Sequence, residues 1–299
     1  MPELKSSAAS LSGGIVPGEY LLTAEDFRQI AEILHDHAGI QLSETKAALV
    51  YARLAKRLRA LGLENFRDYC AHVVGSEGLD ERQRMVAALT TNVTKFFREA
   101  HHFEHLKRTV MPPLLEAARR GAPVRIWSAG CSNGQEAYSA ALVILSMMPD
   151  VGRHDVKILA SDIDPNMIAE GKAAVYPDHA LTDVPAELKK RWLHRAPGGF
   201  GDQQLWRVAD EARNMVSFRE LNLFAKWPMQ RQFDVIFCRN VVIYFDKVKQ
   251  AALWTRFSEA LKPDGWLYIG HSERVSGPSA DNFVSDGITT WRHSRGNAR

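Results

Sequence analysis

Cysteine is scarce in this chain: Cys70, Cys131 and Cys238 are the only three in 299 residues. They are too few and too scattered for a disulfide framework, and no Cys-x-x-Cys pair points to zinc. The expectation is a reducing, cytoplasmic setting and no metal site. Long apolar runs are also missing. No stretch reaches the roughly 18 apolar residues needed to span a bilayer, and no basic start leads into an apolar segment. Neither secretion nor direct membrane insertion is expected. Charge of one sign is absent too: 38 basic and 35 acidic residues leave a net charge of +3, which excludes a polycation built to coat nucleic acid. Any basic function is therefore local. What remains is the make-up of a folded globular protein, 45% hydrophobic and 24% charged, with length enough for two domains.

Residues 1–19 mix Ser, Ala, Gly and Pro without periodicity and read as a flexible leader. From Thr23 the pattern turns helical. Thr23 with Asp26 makes a capping-box start, and Phe27, Ile30, Ile33 and Leu34 recur at helical spacing up to Gly39. A second helix is expected from Ser43, with Ala47, Val50, Leu54, Leu58 and Leu61 as its apolar stripe and Gly62 as its stop. Shorter helices at 65–74 and 80–89 complete a helical domain over residues 20–90.

At Val124 the character changes. Val-Arg-Ile-Trp-Ser is a short strand, followed by a glycine-containing turn and a helix from Gln135 to Met147. The alternation repeats with a strand at 156–160 and a helix at 165–173, then a strand at 233–238 and a helix at 247–261. Lys262-Pro263-Asp264-Gly265 reads as a turn into a strand at 266–270, and 287–293 as a final antiparallel strand. The fold class is α/β, a doubly wound sheet over residues 91–299 preceded by the all-α domain. Between about 175 and 216 the pattern breaks into proline turns, a short helix at 186–194, a Gly198-Gly199 loop and a strand near Leu205, the marks of a small inserted β-subdomain.

The turn Ser128-Ala-Gly-Cys-Ser-Asn-Gly134 lies between a strand and a helix N-terminus, where small residues let a ligand approach the backbone. Its spacing is not Gly-x-Gly-x-x-Gly, which argues against a dinucleotide. Asp162, at the tip of the second strand, stands where a ribose diol would be gripped. Asp164, just before Pro165, reads better as a helix cap. Asn222-Leu223 follows a strand at 216–220, at the place for an adenine, although Asn222 alone reads equally as a turn residue. The order of these elements points to an adenosine-bearing cofactor.

Five ordered motifs then coincide: Thr90-Thr-Asn-Val-Thr-Lys-Phe-Phe-Arg-Glu99; Trp127-Ser-Ala with Gly134-Gln-Glu-Ala-Tyr-Ser139; Ala160-Ser-Asp-Ile-Asp164; Phe237-Cys-Arg-Asn-Val-Val-Ile-Tyr-Phe-Asp246; and Leu261-Lys-Pro-Asp-Gly with Gly270-His-Ser-Glu273. Over residues 20–293 the chain closely resembles the chemotaxis receptor methyltransferases of the CheR family. The resemblance implies a class I methyltransferase domain that uses S-adenosyl-L-methionine, leaves S-adenosyl-L-homocysteine, and esterifies glutamate side chains of chemoreceptors. It also implies cofactor contacts at Asn92, Thr94, Arg98, Glu136, Asp162, Asn222, Leu223, Arg239 and Asn240. Arg98 would meet the cofactor carboxylate, and an acidic or amide group its ammonium. Taken singly, Asn92 and Thr94 also fit helix caps, Arg98 a carboxylate pair, and Glu136 the first turn of its helix. Ser128 stands where related enzymes often carry an acid, and Ser132 where a middle glycine is common.

On the substrate side, Arg239-Asn240-Val-Val-Ile-Tyr244 lacks the Asn/Asp-Pro-Pro-aromatic clamp that holds a flipped base, which disfavours nucleic acid as partner. Lys46, Arg53, Lys56, Arg57 and Arg59 lie off the apolar stripe of the second helix, with only Glu44 opposing them in that span. Such a face is either a solvated surface or a docking site. The resemblance implies that Arg53 and Arg59 face the acidic methylation helices of the receptor. Arg98 and Tyr244 are the expected catalytic pair, one holding charge and the other donating a hydrogen bond or closing the pocket. A carboxylate acceptor needs no general base, though His271 is the group to watch. Some relatives hold a receptor C-terminal peptide on the β-subdomain; the long, glycine-rich loop at 196–203 argues against that here. The protein is expected to be a monomer.

Overall fold

The computed structural model describes residues 14–199 and 204–294 and divides into two compact units, Met1–Thr90 and Thr91–Arg299. The first unit is helical. Helix α1 (Ala24–Ala38) starts at the expected capping box, Thr23 Oγ1 accepting from Asp26 N at 3.1 Å and Asp26 Oδ2 from Thr23 N at 3.0 Å. A 3₁₀ turn over Glu44–Lys46 delays the second helix, so α2 spans Ala47–Leu61 rather than beginning after Ser43. Then come α3 (Phe66–Val74), capped by Asn65, and α4 (Leu79–Leu89). Phe27, Ile30, Leu34, Val50, Leu54, Leu58, Phe66 and Met85 are buried, the 3.6-residue spacing having placed them on inner faces. Of the leader expected through Glu19, residues 1–13 lie outside the described residues. Residues 14–19 are tied down: Ile15 N donates to Leu22 O at 2.9 Å, and Glu19 pairs with Arg59.

The second unit opens with a long helix, α5 (Ala100–His105) and α6 (Met111–Arg119), joined by a π-type turn at Leu106–Val110. Pro112 and Pro113 lack the N–H that would continue the regular ladder. The strands and helices then alternate: β1 (Val124–Ala129), α7 (Gln135–Met147), β2 (Val156–Asp162), α8 (Pro165–Ala173). The insertion follows, with β3 (Val175–Pro177), α9 (Ala186–Trp192), β4 (Leu193–Ala196), β5 (Leu205–Val208) and α10 (Asp210–Arg213). Last come β6 (Val216–Glu220), β7 (Phe233–Cys238), α11 (Lys247–Ala260), β8 (Leu261–Ile269), β9 (Phe283–Ser285) and β10 (Thr290–His293).

The main sheet runs β6-β2-β1-β7-β8-β10-β9, parallel as far as β8 and antiparallel at β10 and β9. Because β2 and β7 leave β1 on opposite sides, the connections diverge at the carboxyl ends of β1 and β7, and a crevice opens there. Three details depart from expectation. Lys262–Gly265 does turn, with Asp264 at φ 64°, but inside β8: Phe233 faces Leu261 while Val235 already faces Trp266, so the intervening residues bulge. The helix expected over 186–194 ends at Trp192, and Leu193–Ala196 becomes an edge of the small antiparallel sheet β3-β5-β4. Strand β9 carries no alternation that marks it in sequence. The loop expected to oppose receptor-tail docking falls partly on residues 200–203, outside the described residues.

Candidate active site

Four segments meet at the carboxyl ends of the parallel strands: the loop 92–99, the turn after β1, the paired ends of β2 and β6, and the residues after β7. Helix α7 anchors the first of them. Gln135 Oε1 accepts Phe96 N at 3.0 Å and Ser139 Oγ accepts Phe97 N at 2.9 Å, two contacts one helical turn apart. Gly130 lets the β1 turn and the β7 segment approach; a Cβ there would lie 2.4 Å from a Val241 methyl carbon, and its φ is 79°. Phe97, Glu99, Ser132 and Asn240 also take left-handed backbone conformations. Such conformations are costly for residues with a Cβ and concentrate where backbone is held for function.

At the β2 tip, Asp162 is buried and its carboxylate is already engaged: Oδ2 accepts Ser132 N at 2.7 Å, and Oδ1 accepts Asp164 N at 3.0 Å. Burial raises its pKa, against the pull of these two N–H groups. Asp162 thus shapes the turn after β1 and keeps one lone pair on each oxygen for a ligand. Asp164 caps α8, as expected, accepting Asn166 N at 2.9 Å, and also receives Asn92 Nδ2 at 2.7 Å. Asn92 is accordingly no helix cap; its carbonyl accepts Ser132 Oγ at 2.8 Å. Leu221 N donates to Asp162 O at 2.8 Å, bringing the Asn222-Leu223 turn alongside. Asn222 Oδ1 accepts Phe224 N at 2.9 Å, the turn role its residue type allowed. Leu223 is buried.

Under the 92–99 loop lies a buried ion cluster. Glu136 accepts from Ser128 Oγ at 2.6 Å and from Arg239 Nη1 at 3.1 Å, and Arg239 Nη2 is 3.4 Å from Glu99 Oε2. The Arg239 guanidinium also donates to Arg98 O. The Arg239 side chain is buried among these protein partners, while its Nε has no partner among the described residues. The partners come from residues 103 and 140 positions away, which spacing does not reveal. Burial raises the Glu136 carboxyl, with Arg239 and Ser128 opposing. Burial would raise Glu99 as well, but Arg239 and the bonds from His271 more than reverse this and hold it below the usual carboxylate range. His102 is fully buried, bonded to Thr289 Oγ1 at 2.9 Å; burial, then the Arg239 guanidinium, pushes its imidazole down to about 3. Glu99, His101 and His102 bring possible metal-ligand atoms within 4.8 Å of one another, but Arg239 and His271 already occupy the Glu99 carboxylate.

The β7 segment is held by Glu273, a residue of the Gly-His-Ser-Glu motif to which sequence alone assigns no role. Its Oε1 accepts Val241 N and Val242 N, each at 2.9 Å, and its Oε2 accepts Asn240 N at 3.0 Å and Gly270 N. The half-buried side chains of Thr94, Asn240 and Tyr244 bond to no described residue, and Arg98 uses only Nη1, donating to Val93 O at 3.0 Å. These are partly desolvated polar groups with capacity left over. Phe224 and Phe245 meet edge to face at 4.9 Å, joining the Asn222 turn to the Tyr244 segment. His271 is exposed and donates to Glu99 Oε1 from N and bonds it through Nδ1. Gln135, Ser139, Glu99, His102 and Glu273 thus build the site although sequence reading gave them no role, and four of them stand inside the quoted motifs.

The helical unit departs from the expected free basic face. Arg53 Nη1 donates to Ala88 O at 3.1 Å and Thr90 O at 2.6 Å, binding the carboxyl end of α4. Arg57 forms a two-point pair with Glu81 at 2.9 and 2.6 Å. Arg59 pairs with Glu19 at 2.9 Å in the open. Arg53 thus spends Nη1 on the end of α4, while Arg59 has an exposed and exchangeable partner.

Comparison with known proteins bears directly on this arrangement. Residues 92–290 match the family described as CheR methyltransferase, SAM binding domain, and residues 25–90 match CheR methyltransferase, all-alpha domain. The chain belongs to the CheR family. It is 50% identical over 262 residues to a probable chemotaxis protein methyltransferase of Rhizobium etli, covering 88% of this chain and 97% of that one. Identity is 44% with chemotaxis protein methyltransferase 2 of Pseudomonas aeruginosa, over 85% of this chain and 88% of the relative. With the chemotaxis protein methyltransferase of Escherichia coli it is 40%, over 85% and 86%. The activity implied by resemblance is accordingly that of this family, an S-adenosylmethionine-dependent methyltransferase. Among the described residues no helix is long and apolar enough to cross a membrane.

The residues fit the cofactor. Two carboxylates, half-buried Glu99 and buried Glu136, share the one Arg239 guanidinium, an arrangement with negative charge to offer an ammonium or a sulfonium. Arg98 offers donors for a carboxylate, and Asp162 offers acceptors for a diol.

Proposed function

We propose that this CheR-family chain transfers a methyl group from S-adenosylmethionine to glutamate side chains on the cytoplasmic methylation helices of chemoreceptors, forming glutamate 5-O-methyl esters, and that it acts in the cytoplasm as a monomer. The observation that supports it most is the set of half-buried polar side chains with spare bonding capacity, Thr94, Arg98, Asn240 and Tyr244, on two segments that the Arg239 bond to Arg98 O ties together at the carboxyl end of β7. Bound there, the cofactor supplies a methyl group on a positively charged sulfur.

The chain's own residues have positioning tasks. Asn92, Thr94 and Arg98 hold the amino-acid end of the cofactor, with Glu136 supplying negative charge for its ammonium. Asp162 takes the ribose, and Asn222 and Leu223 frame the adenine. Arg239 orients Glu136 and the Arg98 backbone, and Asn240 contributes its amide at the same wall. A glutamate has a reference pKa of about 4.3 and is ionised at neutral pH, so no proton must be removed from the acceptor. Tyr244 donates to the acceptor carboxylate and helps exclude water, and Arg98 balances charge beside it. Alignment and desolvation of this kind account for several kcal/mol of barrier. Arg59, whose pair with Glu19 is exposed, meets receptor carboxylates by exchange.

Receptor-containing membranes incubated with the protein and methyl-labelled cofactor test the reading. Label should enter the receptor and leave as methanol on mild alkaline treatment, as carboxyl esters do. Label that resists alkali would assign a different acceptor, and no label in the receptor would reject the substrate.

A further inference from the structure

Strands β7 and β8 pair as far as Cys238 and Ile269. Beyond that register one side chain takes over from the ladder. The Glu273 carboxylate accepts Val241 N and Val242 N through Oε1, each at 2.9 Å, and Asn240 N at 3.0 Å and Gly270 N through Oε2. Three of these donors are consecutive residues leaving β7, and the fourth is the first residue past β8. Asn240 is left-handed, with φ 58°, and such a residue among successive N–H groups makes a concave donor surface for an anion. Here the anion belongs to the chain itself. Glu273 is 8% exposed and arrives on a short turn that its own N–H closes on Gly270 O at 2.9 Å. The four donors match the about four lone-pair directions of an ionised carboxylate, opposing the rise in pKa that burial causes.

Glycines wedge the same segment from both sides. A Cβ on Gly270 would lie 2.7 Å from Asn240 N and 2.5 Å from its Nδ2, and one on Gly130 would lie 2.4 Å from a Val241 methyl carbon. Gly130 belongs to the turn after β1, which its own N–H ties to Ser161 O at 2.8 Å. Residues 240 and 241 are therefore fixed between the candidate cofactor turn and the end of β8. Tyr244 follows within one 3₁₀ turn, its N–H donating to Val241 O at 3.3 Å. Gln250 Nε2 clamps that turn through Val242 O and Phe245 O, each at 2.9 Å. A displacement at 240–242 is thus carried through backbone bonds to Tyr244. Burying a carboxylate costs several kcal/mol unless its oxygens are matched; an apolar side chain could fill the space, but it could not gather three successive amides.

We propose that Glu273 is a positioning residue for methyl transfer: by gathering the amides of residues 240–242 it sets where Tyr244 stands relative to the turn after β1. The inference rests on the role given to Tyr244 above and deepens it by naming the group that places the hydroxyl. Glu273 acts through backbone, and its effect falls on alignment. A misplacement of about 1 Å at a reacting centre costs on the order of 100-fold in rate.

The test uses the full-length protein with receptor-containing membranes. Glu273→Gln keeps the shape but turns an amide NH₂ toward N–H donors. It should slow single-turnover methylation about 30-fold, while KM for receptor and cofactor affinity by calorimetry stay within about threefold. Glu273→Asp, which keeps the charge on a shorter arm, should recover part of the rate. If Glu273→Gln fails to bind cofactor stoichiometrically, Gly270→Ala is read by the same criteria, because it displaces Asn240 and leaves the carboxylate in place. A double variant with Tyr244→Phe separates positioning from general damage. Once the hydroxyl is gone, Glu273→Gln should cost only about threefold more, a non-additivity that a merely structural role would not produce. A Glu273→Gln rate within about threefold of wild type, or its full effect retained in the Tyr244→Phe background, would overturn the proposal. If Tyr244→Phe alone leaves the rate unchanged, the reading of Tyr244 fails first and the positioning role with it.

Discussion

At Asp162 the carboxylate accepts Ser132 N and Asp164 N, so the residue builds its pocket as well as serving it. Asp162→Ala should weaken cofactor binding by about 2 to 4 kcal/mol through lost charge-assisted bonds, measured by calorimetry; unchanged affinity would remove it from the site. Tyr244 differs because its hydroxyl has no described partner. Tyr244→Phe should slow single-turnover methylation about tenfold or more, with cofactor affinity within a factor of a few, as expected of a contact that matters at the transition state. The wild-type rate should stay flat between about pH 6.5 and 8.5, since a carboxylate acceptor needs no base; a bell-shaped profile would implicate a titrating group such as His271. His102 makes a stability prediction. Its imidazole is pushed down to about 3 in the fold, against about 6.5 when unfolded. Between those values the unfolded chain binds a proton that the native chain does not, so stability falls as pH is lowered from about 6.5 towards 3. Denaturant unfolding at pH 7 and pH 5 should show this loss, and His102→Gln should reduce it.

Among the elements, helix α2 shows how a surface pattern is reinterpreted by its neighbours. Its arginines form a basic face in sequence, but Arg53 reaches the last carbonyls of α4 and Arg57 reaches Glu81, within hydrogen-bonding distance of Tyr69 Oη. Arg53→Ala should therefore lower the stability of the helical unit by about 1 to 3 kcal/mol, the worth of bonds to a charged donor. Thermal unfolding would register it, while receptor methylation by the protein that remains folded should change little. A loss of methylation without a loss of stability would place Arg53 on the receptor face. Helix α7 makes the opposite case. Gln135, Glu136 and Ser139 fall within a single motif, and each serves the 92–99 loop or its ion cluster through a different partner.

For the whole molecule, the helical unit, the order of strands and helices, and the carboxyl-end crevice were legible in sequence because local periodicity and capping chemistry act over a few residues. Thr23 with Asp26, the α7 boundaries and the Asp164 cap follow from that short-range chemistry. The five motifs likewise specified the family and with it the cofactor. Partners far apart in sequence were not legible. The pairing of Arg239 with Glu136 and Glu99 could not be read from spacing, and Glu273 had no role until four backbone N–H groups converged on it. Strand β9 and the β4 edge were hidden because pairing partners, not local pattern, define them. Local spacing decides which residues can share a face; which charge that face meets is decided only when distant segments pack, because burial and ion pairing depend on neighbours brought together by the chain's return.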